Sequence, residues 1–156
     1  REQGFEKGCA KFARPEGMWE HHGKIYFTCT SGGKNELGQI WEYTPSLHEG
    51  SSKEQKYPAK LKLFFESDDA KSLDMCDNIT ISPFGDIIIC EDGKGSDYLV
   101  GIKSDGKSYK IAKNILNSSE FAGACFSPDG KILFVNIYKP SITLAITGNW
   151  ADLTAS

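Results

Sequence analysis

The sequence predicts an all-β chain, a partial β-propeller of about three blades. Each blade is an antiparallel four-stranded sheet, and the last one is incomplete. Three observations carry this. Ile81-Ser-Pro-Phe-Gly-Asp-Ile-Ile-Ile-Cys90 aligns with Phe126-Ser-Pro-Asp-Gly-Lys-Ile-Leu-Phe-Val135, 45 residues further on. A weaker copy, Gly23-Lys-Ile-Tyr-Phe-Thr-Cys29, places its glycine 62 residues before Gly85, with residues 45–60 read as an insertion that absorbs the excess. Short runs of β-branched and aromatic residues alternate throughout with Gly, Pro, Asp and Ser turn signals. A repeat of roughly 40–50 residues made of short strands is the mark of a propeller blade.

The elements follow in chain order. Cys9–Phe12 reads as a short strand or an irregular lead-in. Residues 14–19, punctuated by Pro15 and Gly17, read as a loop that delivers Glu16 to the entrance of a strand. Lys24–Thr30, Gln39–Thr44 and Leu61–Glu66 are strands, and 45–60 is an exposed excursion rich in Ser, Lys, Glu and Pro. Residues 67–73 form a loop or one helical turn. Asp77–Ser82, Asp86–Cys90, Tyr98–Lys103 and Tyr109–Ala112 are the strands of the second unit, with a hairpin at Ser104-Asp105-Gly106. Gly123–Ser127, Ile132–Tyr138 and Ile142–Thr147 make the third unit, which ends at Asn149-Trp150. The expected organisation is a single partial propeller domain over 1–156, with blade-like units at about 9–66, 77–113 and 120–150. Three blades do not close a ring, since propellers contain about four to eight. The chain is therefore expected to supply about half of one. Its open edges would meet further blades of a longer polypeptide or another protein chain, because bare sheet edges aggregate.

The 156 residues suffice for one domain with a real core. A net charge of −3 gives no basic footprint for nucleic acid or an anionic membrane. No apolar run approaches the roughly 20 residues of a membrane span. Cys9, Cys29, Cys76, Cys90 and Cys125 form no C-x-x-C pair, which argues against a zinc site. Cys29, Cys90 and Cys125 fall in apolar strand patterns as packing thiols. Trp19, Trp41 and Trp150 read as packing residues. His21 and His22 are adjacent, and neighbours on a strand face opposite ways, so they make a poor metal pair.

The polar residues recur at one phase of the repeat. Glu16, Asn78 and Gly123 lie seven residues before the turn glycines Gly23, Gly85 and Gly130. Asp77 lies eight before its glycine and Glu120 ten before, while Glu91 and Asp92 lie six and seven after Gly85. In an up-and-down blade the start of the first strand and the end of the second share one end, and the first strand is nearest the axis. Glu16, Asp77, Asn78, Glu91, Asp92 and Glu120 would then meet at one mouth of the central channel. Each alone reads as a solvated loop residue or turn cap, and Asp77-Asn78 also suits an Asx-turn. Together they repel, at a cost on the order of several kcal/mol if desolvated. Hard cations such as calcium, magnesium or iron would relieve this.

Six stretches carry a resemblance: Phe12–Trp19, Asp77–Pro83, Cys90–Gly93, Glu120–Gly130, Leu133–Asn136 and Thr143–Gly148. In this order they resemble the C-terminal part of the PhoX-type alkaline phosphatases. The resemblance implies a six-bladed propeller with iron and calcium at the channel mouth, hydrolysing phosphate monoesters. It implies that Glu16 is a metal ligand and that Arg14 holds the substrate phosphate. Asp77 or Asn78, Glu91 or Asp92, and Glu120 would complete the ligand set. It also implies a secreted, periplasmic or organellar location. The family's cysteine ligand to iron belongs to an N-terminal half, and no matching motif surrounds Cys9. Ser141 and Asn149 replace a family Gly and Pro. The expectation is the C-terminal portion of a metal-dependent phosphomonoesterase, active only with its N-terminal blades. This chain alone is expected to bind metal weakly and to be inactive. The alternative is a non-catalytic binding or assembly subunit of a larger complex, using the open sheet edges and residues 45–60.

Overall fold

The computed structural model describes residues 2–154, and within them the chain is all-β apart from two five-residue helices. After α1 (Glu2–Glu6) come eleven strands. They are β1 (Pro15–His21), β2 (Lys24–Cys29), β3 (Gln39–Thr44), β4 (Lys60–Glu66), β5 (Cys76–Ile81), β6 (Ile87–Glu91), β7 (Tyr98–Ile102), β8 (Ser108–Lys113), β9 (Phe121–Phe126), β10 (Ile132–Ile137) and β11 (Ile142–Thr147). Helix α2 (Trp150–Thr154) follows. The strands form three antiparallel meanders: sheet 1 is β1-β2-β3-β4, sheet 2 is β5-β6-β7-β8, and sheet 3 is β9-β10-β11. The arrangement is propeller-like. The first strands lie side by side, β1 against β5 and β5 against β9.

Two apolar slabs hold the sheets together, one at each sheet-to-sheet junction. Between sheets 1 and 2 lie Ile40, Ile79, Ile81, Ile87, Ile89, Val100 and Ile102. Between sheets 2 and 3 lie Ile88, Cys90, Leu99, Phe121, Leu133 and Val135. The unbroken run Ile87-Ile88-Ile89-Cys90 follows from this. Successive side chains face opposite sides, and β6 is buried on both.

One expected element lies elsewhere. Residues 14–19, read as a loop, form most of β1, and Cys9–Phe12 is not a strand. Pro15 is tolerated because it is the first residue of the strand. Gly17 is needed because β1 approaches β5 closely. A Cβ there would stand 2.6 Å from the Asp77 carbonyl oxygen and 2.8 Å from the Ile79 nitrogen. The β1–β2 turn is His22-Gly23, with φ of 52° and 74° at the two residues, a two-residue hairpin of the mirror-image type.

The polar excursion 45–60 is a series of turns, mostly exposed. Trp150 and Trp41 are packing residues, as expected. Trp150 stacks edge-on against Phe126, and its indole nitrogen donates to the Lys131 carbonyl at 2.8 Å.

Candidate metal and phosphate site

The first strand of every sheet carries a bulge at the same end. On β1 the register slips between Pro15 and Met18, on β5 between Cys76 and Ile79, and on β9 opposite the step from Phe134 to Asn136. Each bulge inserts one extra residue, which bends the strand and re-aims its side chains. The residues inside the bulges are Glu16-Gly17, Asp77-Asn78 and Gly123-Ala124. The residue ahead of each first strand also repeats. The carbonyls of Arg14, Met75 and Glu120 accept from the backbone of Thr30, Asp92 and Tyr138 at 2.9, 2.9 and 3.0 Å. Arg14 and Glu120 thus occupy equivalent places in sheets 1 and 3.

This geometry gathers one cation and four acids from three sheets. An Arg14 guanidinium nitrogen lies 3.1 Å from Asp92 Oδ2 and 3.9 Å from Glu16 Oε1. Burial raises the Asp77 carboxyl above its ordinary range, and the negative charges of Glu16 and Asp92 raise it further. Burial, then Asp92 and Asp77, raises Glu120 in the same way. Arg14 opposes the shift on Asp77 but does not cancel it. The cluster is an electrostatic conflict that a cation would resolve.

Two side chains, Thr28 and Asn78, brace the rim. Thr28 Oγ1 accepts from the Gly17 N–H at 2.9 Å and donates to the Asp77 carbonyl at 2.6 Å, tying β1 and β2 to β5. Asn78 Oδ1 accepts from the Gly123 N–H at 2.7 Å, tying sheet 2 to sheet 3. Asn78 Nδ2 donates to Asp77 Oδ2 at 3.2 Å. The Asn78 oxygen, a predicted ligand, therefore already serves a structural bond.

Of the predicted pair Glu91 and Asp92, Asp92 faces the rim. Glu91 is 2% exposed and turned into the sheet. Its carboxylate accepts from Lys110 Nζ at 2.7 Å and from the backbone N–H groups of Asp74 and Tyr98 at 2.9 and 3.0 Å. The alternation along β6 explains the split, since adjacent side chains take opposite sides.

Sequence reasoning missed Asp97. Its carboxyl is 4% exposed and accepts from the Gly93 N–H at 3.0 Å. Burial raises it to about 6, reinforced by Glu91, Asp92 and Asp74. A polar cleft of about 440 Å³ opens beside it, lined also by Asp92, Glu120, Tyr138 and Lys139. Nothing but an isolated acid after Gly-Ser marks Asp97 in the sequence. The buried thiols of Cys76 and Cys90 are pushed up to about 12, chiefly by burial, and are inert packing groups.

A family profile described as alkaline phosphatase PhoX matches residues 1–141. The chain belongs to that family. Comparison with curated proteins and with solved structures returned no match. PhoX phosphatases are metal-dependent and typically secreted or periplasmic. Among the described residues no helix is long and apolar enough to cross a membrane.

The donors present are carboxylate oxygens crowded by like charge, a type that suits hard ions. Thr30, the counterpart of Asp92 in sheet 1, also has a buried Oγ1 with no hydrogen-bond partner, next to the Arg14 backbone. No three His, Cys, Asp or Glu side chains among the described residues close around a single ion position. The set suits such ions by donor type.

Proposed function

We propose that this chain forms one side of the active rim of a PhoX-type metal-dependent phosphomonoesterase. One observation carries the reading: Arg14, Glu16, Asp77, Asp92 and Glu120 come from three separate sheets and interact at one end of their first strands. Structural ion pairs do not need such an assembly, which leaves Asp77 and Glu120 destabilised as anions.

Glu16, Asp77, Asp92 and Glu120 would hold calcium or iron through hard oxygen contacts. Bound there, the ions would neutralise phosphate charge and supply an activated oxygen nucleophile. Arg14 orients the monoester. Its planar guanidinium offers two parallel donors to two phosphate oxygens, a geometry a lysine cannot copy. One of its guanidinium nitrogens donates to Asp92 Oδ2, a contact that an incoming anion would compete for. Thr28, Gly17 and Asn78 keep the three first strands in register, so the acids stay at fixed separations.

The test is calcium-dependent thermal stabilisation, with and without inorganic phosphate. Calcium is expected to raise the melting temperature at about pH 8 and much less at about pH 5, where protons compete for the raised carboxyls. Glu120→Gln should weaken the calcium response. Arg14→Ala should abolish the added effect of phosphate and leave the calcium response. A calcium response identical in Glu120→Gln and wild type would remove the rim from metal binding. Turnover of p-nitrophenyl phosphate, expected only when the remaining blades are supplied, should fall in both variants.

A further inference from the structure

The polar cleft beside Asp97 is built by three connections between strands. The β6–β7 connection supplies Asp92, Gly93 and Asp97, the β8–β9 connection supplies residues 117–120, and the β10–β11 turn supplies Tyr138 and Lys139. All of this lining belongs to the connections of sheets 2 and 3.

Hydrogen bonds fix these connections to one another. Asn114, 2% exposed, donates its backbone N–H to the Asp97 carbonyl at 3.0 Å. Its Nδ2 donates to Asn117 Oδ1 at 3.1 Å and to the Ser119 carbonyl at 2.6 Å, and its Oδ1 accepts from the Leu116 N–H at 3.0 Å. Asn117 Nδ2 donates to the Lys139 carbonyl at 2.8 Å, and Ser119 Oγ accepts from the Lys139 N–H at 2.8 Å. A cleft held this way is formed before a ligand arrives, which lowers the ordering cost of binding.

The bonds that shape the cleft leave several of its polar groups uncommitted. Among the described residues the hydroxyls of Ser118 and Tyr138 have no protein partner. The Lys139 ammonium lies 5.7 Å from the centre of the Tyr138 ring and joins no ion pair among the described residues. Asp97 adds an acceptor, and no aliphatic residue among those described lines the cleft.

We propose that this cleft receives the alcohol part of the phosphomonoester and selects a hydroxyl-rich, sugar-like alcohol over an aryl or alkyl one. The inference rests on the phosphatase reading, in which Arg14 holds the phosphate. Asp92 joins the two places, since it accepts from the Arg14 guanidinium at 3.1 Å and also lines the cleft. An ester whose phosphate meets Arg14 therefore has the cleft alongside. Each hydroxyl of a sugar both donates and accepts. It can donate to Asp97 and accept from Ser118, Tyr138 or Lys139. An aryl group does neither, and would strip water from Asp97 and Lys139 without replacing it. The volume of about 440 Å³ lies within the range of small-ligand sites.

The test reads binding to the 156-residue chain by amide chemical shifts, with calcium present. The probes are inorganic phosphate, phenyl phosphate and glucose 6-phosphate. All three are expected to move the amides of Glu16 and of Thr30, which donates to the Arg14 carbonyl. Glucose 6-phosphate alone should also move Gly93, Ser118 and Lys139, and bind roughly tenfold more tightly than phenyl phosphate. Lys139→Met should remove that advantage and Ser118→Ala should reduce it, while both leave the response to inorganic phosphate unchanged. Both residues are exposed, and the bonds Lys139 makes to the loop are through its backbone, so neither change loosens the cleft. Phenyl phosphate moving the cleft amides as far as glucose 6-phosphate does would overturn the proposal. So would glucose 6-phosphate binding that is unaltered in both variants. In either case an intact phosphate response at Glu16 and Thr30 leaves the phosphatase reading standing. No response of those two amides to inorganic phosphate would overturn the phosphatase reading, and the role of the cleft with it.

Discussion

Asp97→Asn should stabilise the fold at neutral pH and leave it unchanged in acid. The carboxyl is raised from its ordinary 3.8 to about 6, with burial the leading cause. At about 1.4 kcal/mol per pKa unit the two-unit shift corresponds to at most about 3 kcal/mol. Asp97 borders the polar cleft, so solvent screening reduces this to about 1.5 kcal/mol. Below about pH 3 both the folded and unfolded chains carry a neutral Asp97, and the group costs nothing. As pH rises from about 3 to 6 the unfolded chain releases its proton first, so stability falls across that window. Above it both states are charged and the deficit is constant. Asparagine keeps the acceptor that the Gly93 N–H uses and offers its amide N–H to the nearby acids. Urea unfolding of both proteins with a chelator present, at several pH values from about 3 to 8, measures the difference directly. The variant should gain about 1.5 kcal/mol at the upper end, about 3–6 °C in melting temperature for a domain of this size, and nothing at the lower end. A pH-independent difference, or a variant less stable at pH 8, would refute the account of Asp97 as a buried, strained anion.

Two further outcomes follow from the packing around the rim. Glu91→Ala should cost about 3 kcal/mol in urea unfolding, because it strands the Asp74 and Tyr98 N–H groups and leaves Lys110 unpaired at 30% side-chain exposure; a loss below about 1 kcal/mol would mean that solvent replaces the carboxylate. Gly17→Ala should cost about 1–3 kcal/mol and also weaken calcium stabilisation, since the new methyl presses on the Asp77 carbonyl and drives β1 from β5; normal calcium binding with lowered stability would separate the rim from the β1–β5 contact.

The fold was legible because its signals are local. The Ser-Pro-x-Gly turns, the two-residue His22-Gly23 hairpin and the apolar runs mark strands without reference to distant residues. The run Ile87–Cys90 marked a strand, and the structure shows it covered on both faces. What failed was β1. Pro15 and Gly17 are breakers by propensity, and only the neighbouring β5, 60 residues downstream, makes Gly17 a requirement of the strand. Among the candidate site residues, Glu16, Asp77, Asp92 and Glu120 were singled out by their place in the repeat, and Arg14 by the family resemblance. The choice between Glu91 and Asp92 was not, because it depends on which face of β6 meets Lys110. Asp97 was invisible because its burial comes from neighbours in three dimensions.

The bulges explain why phase alone predicted convergence. In a regular strand, Glu16 and Asp77 would sit on faces fixed by strict alternation, and half of such residues would be buried between sheets. One extra residue in each first strand breaks the alternation at the rim end only. The strand beyond it keeps its apolar residues in the slabs, as Ile79 and Ile81 do. The bulge thus separates two demands on one strand, packing along most of its length and charge display at one end. The same device in three sheets requires a polar or glycine residue at each bulge, as Glu16-Gly17, Asp77-Asn78 and Gly123 supply. It also requires bonds from bulge to bulge so that the distorted segments do not slide. Thr28 and Asn78 make those bonds, one at each sheet junction. The acids are destabilised by proximity, yet the backbone beneath them is cross-linked, so repulsion cannot relax by moving the strands apart. On the proposed function, a cation held at the rim would relieve this conflict.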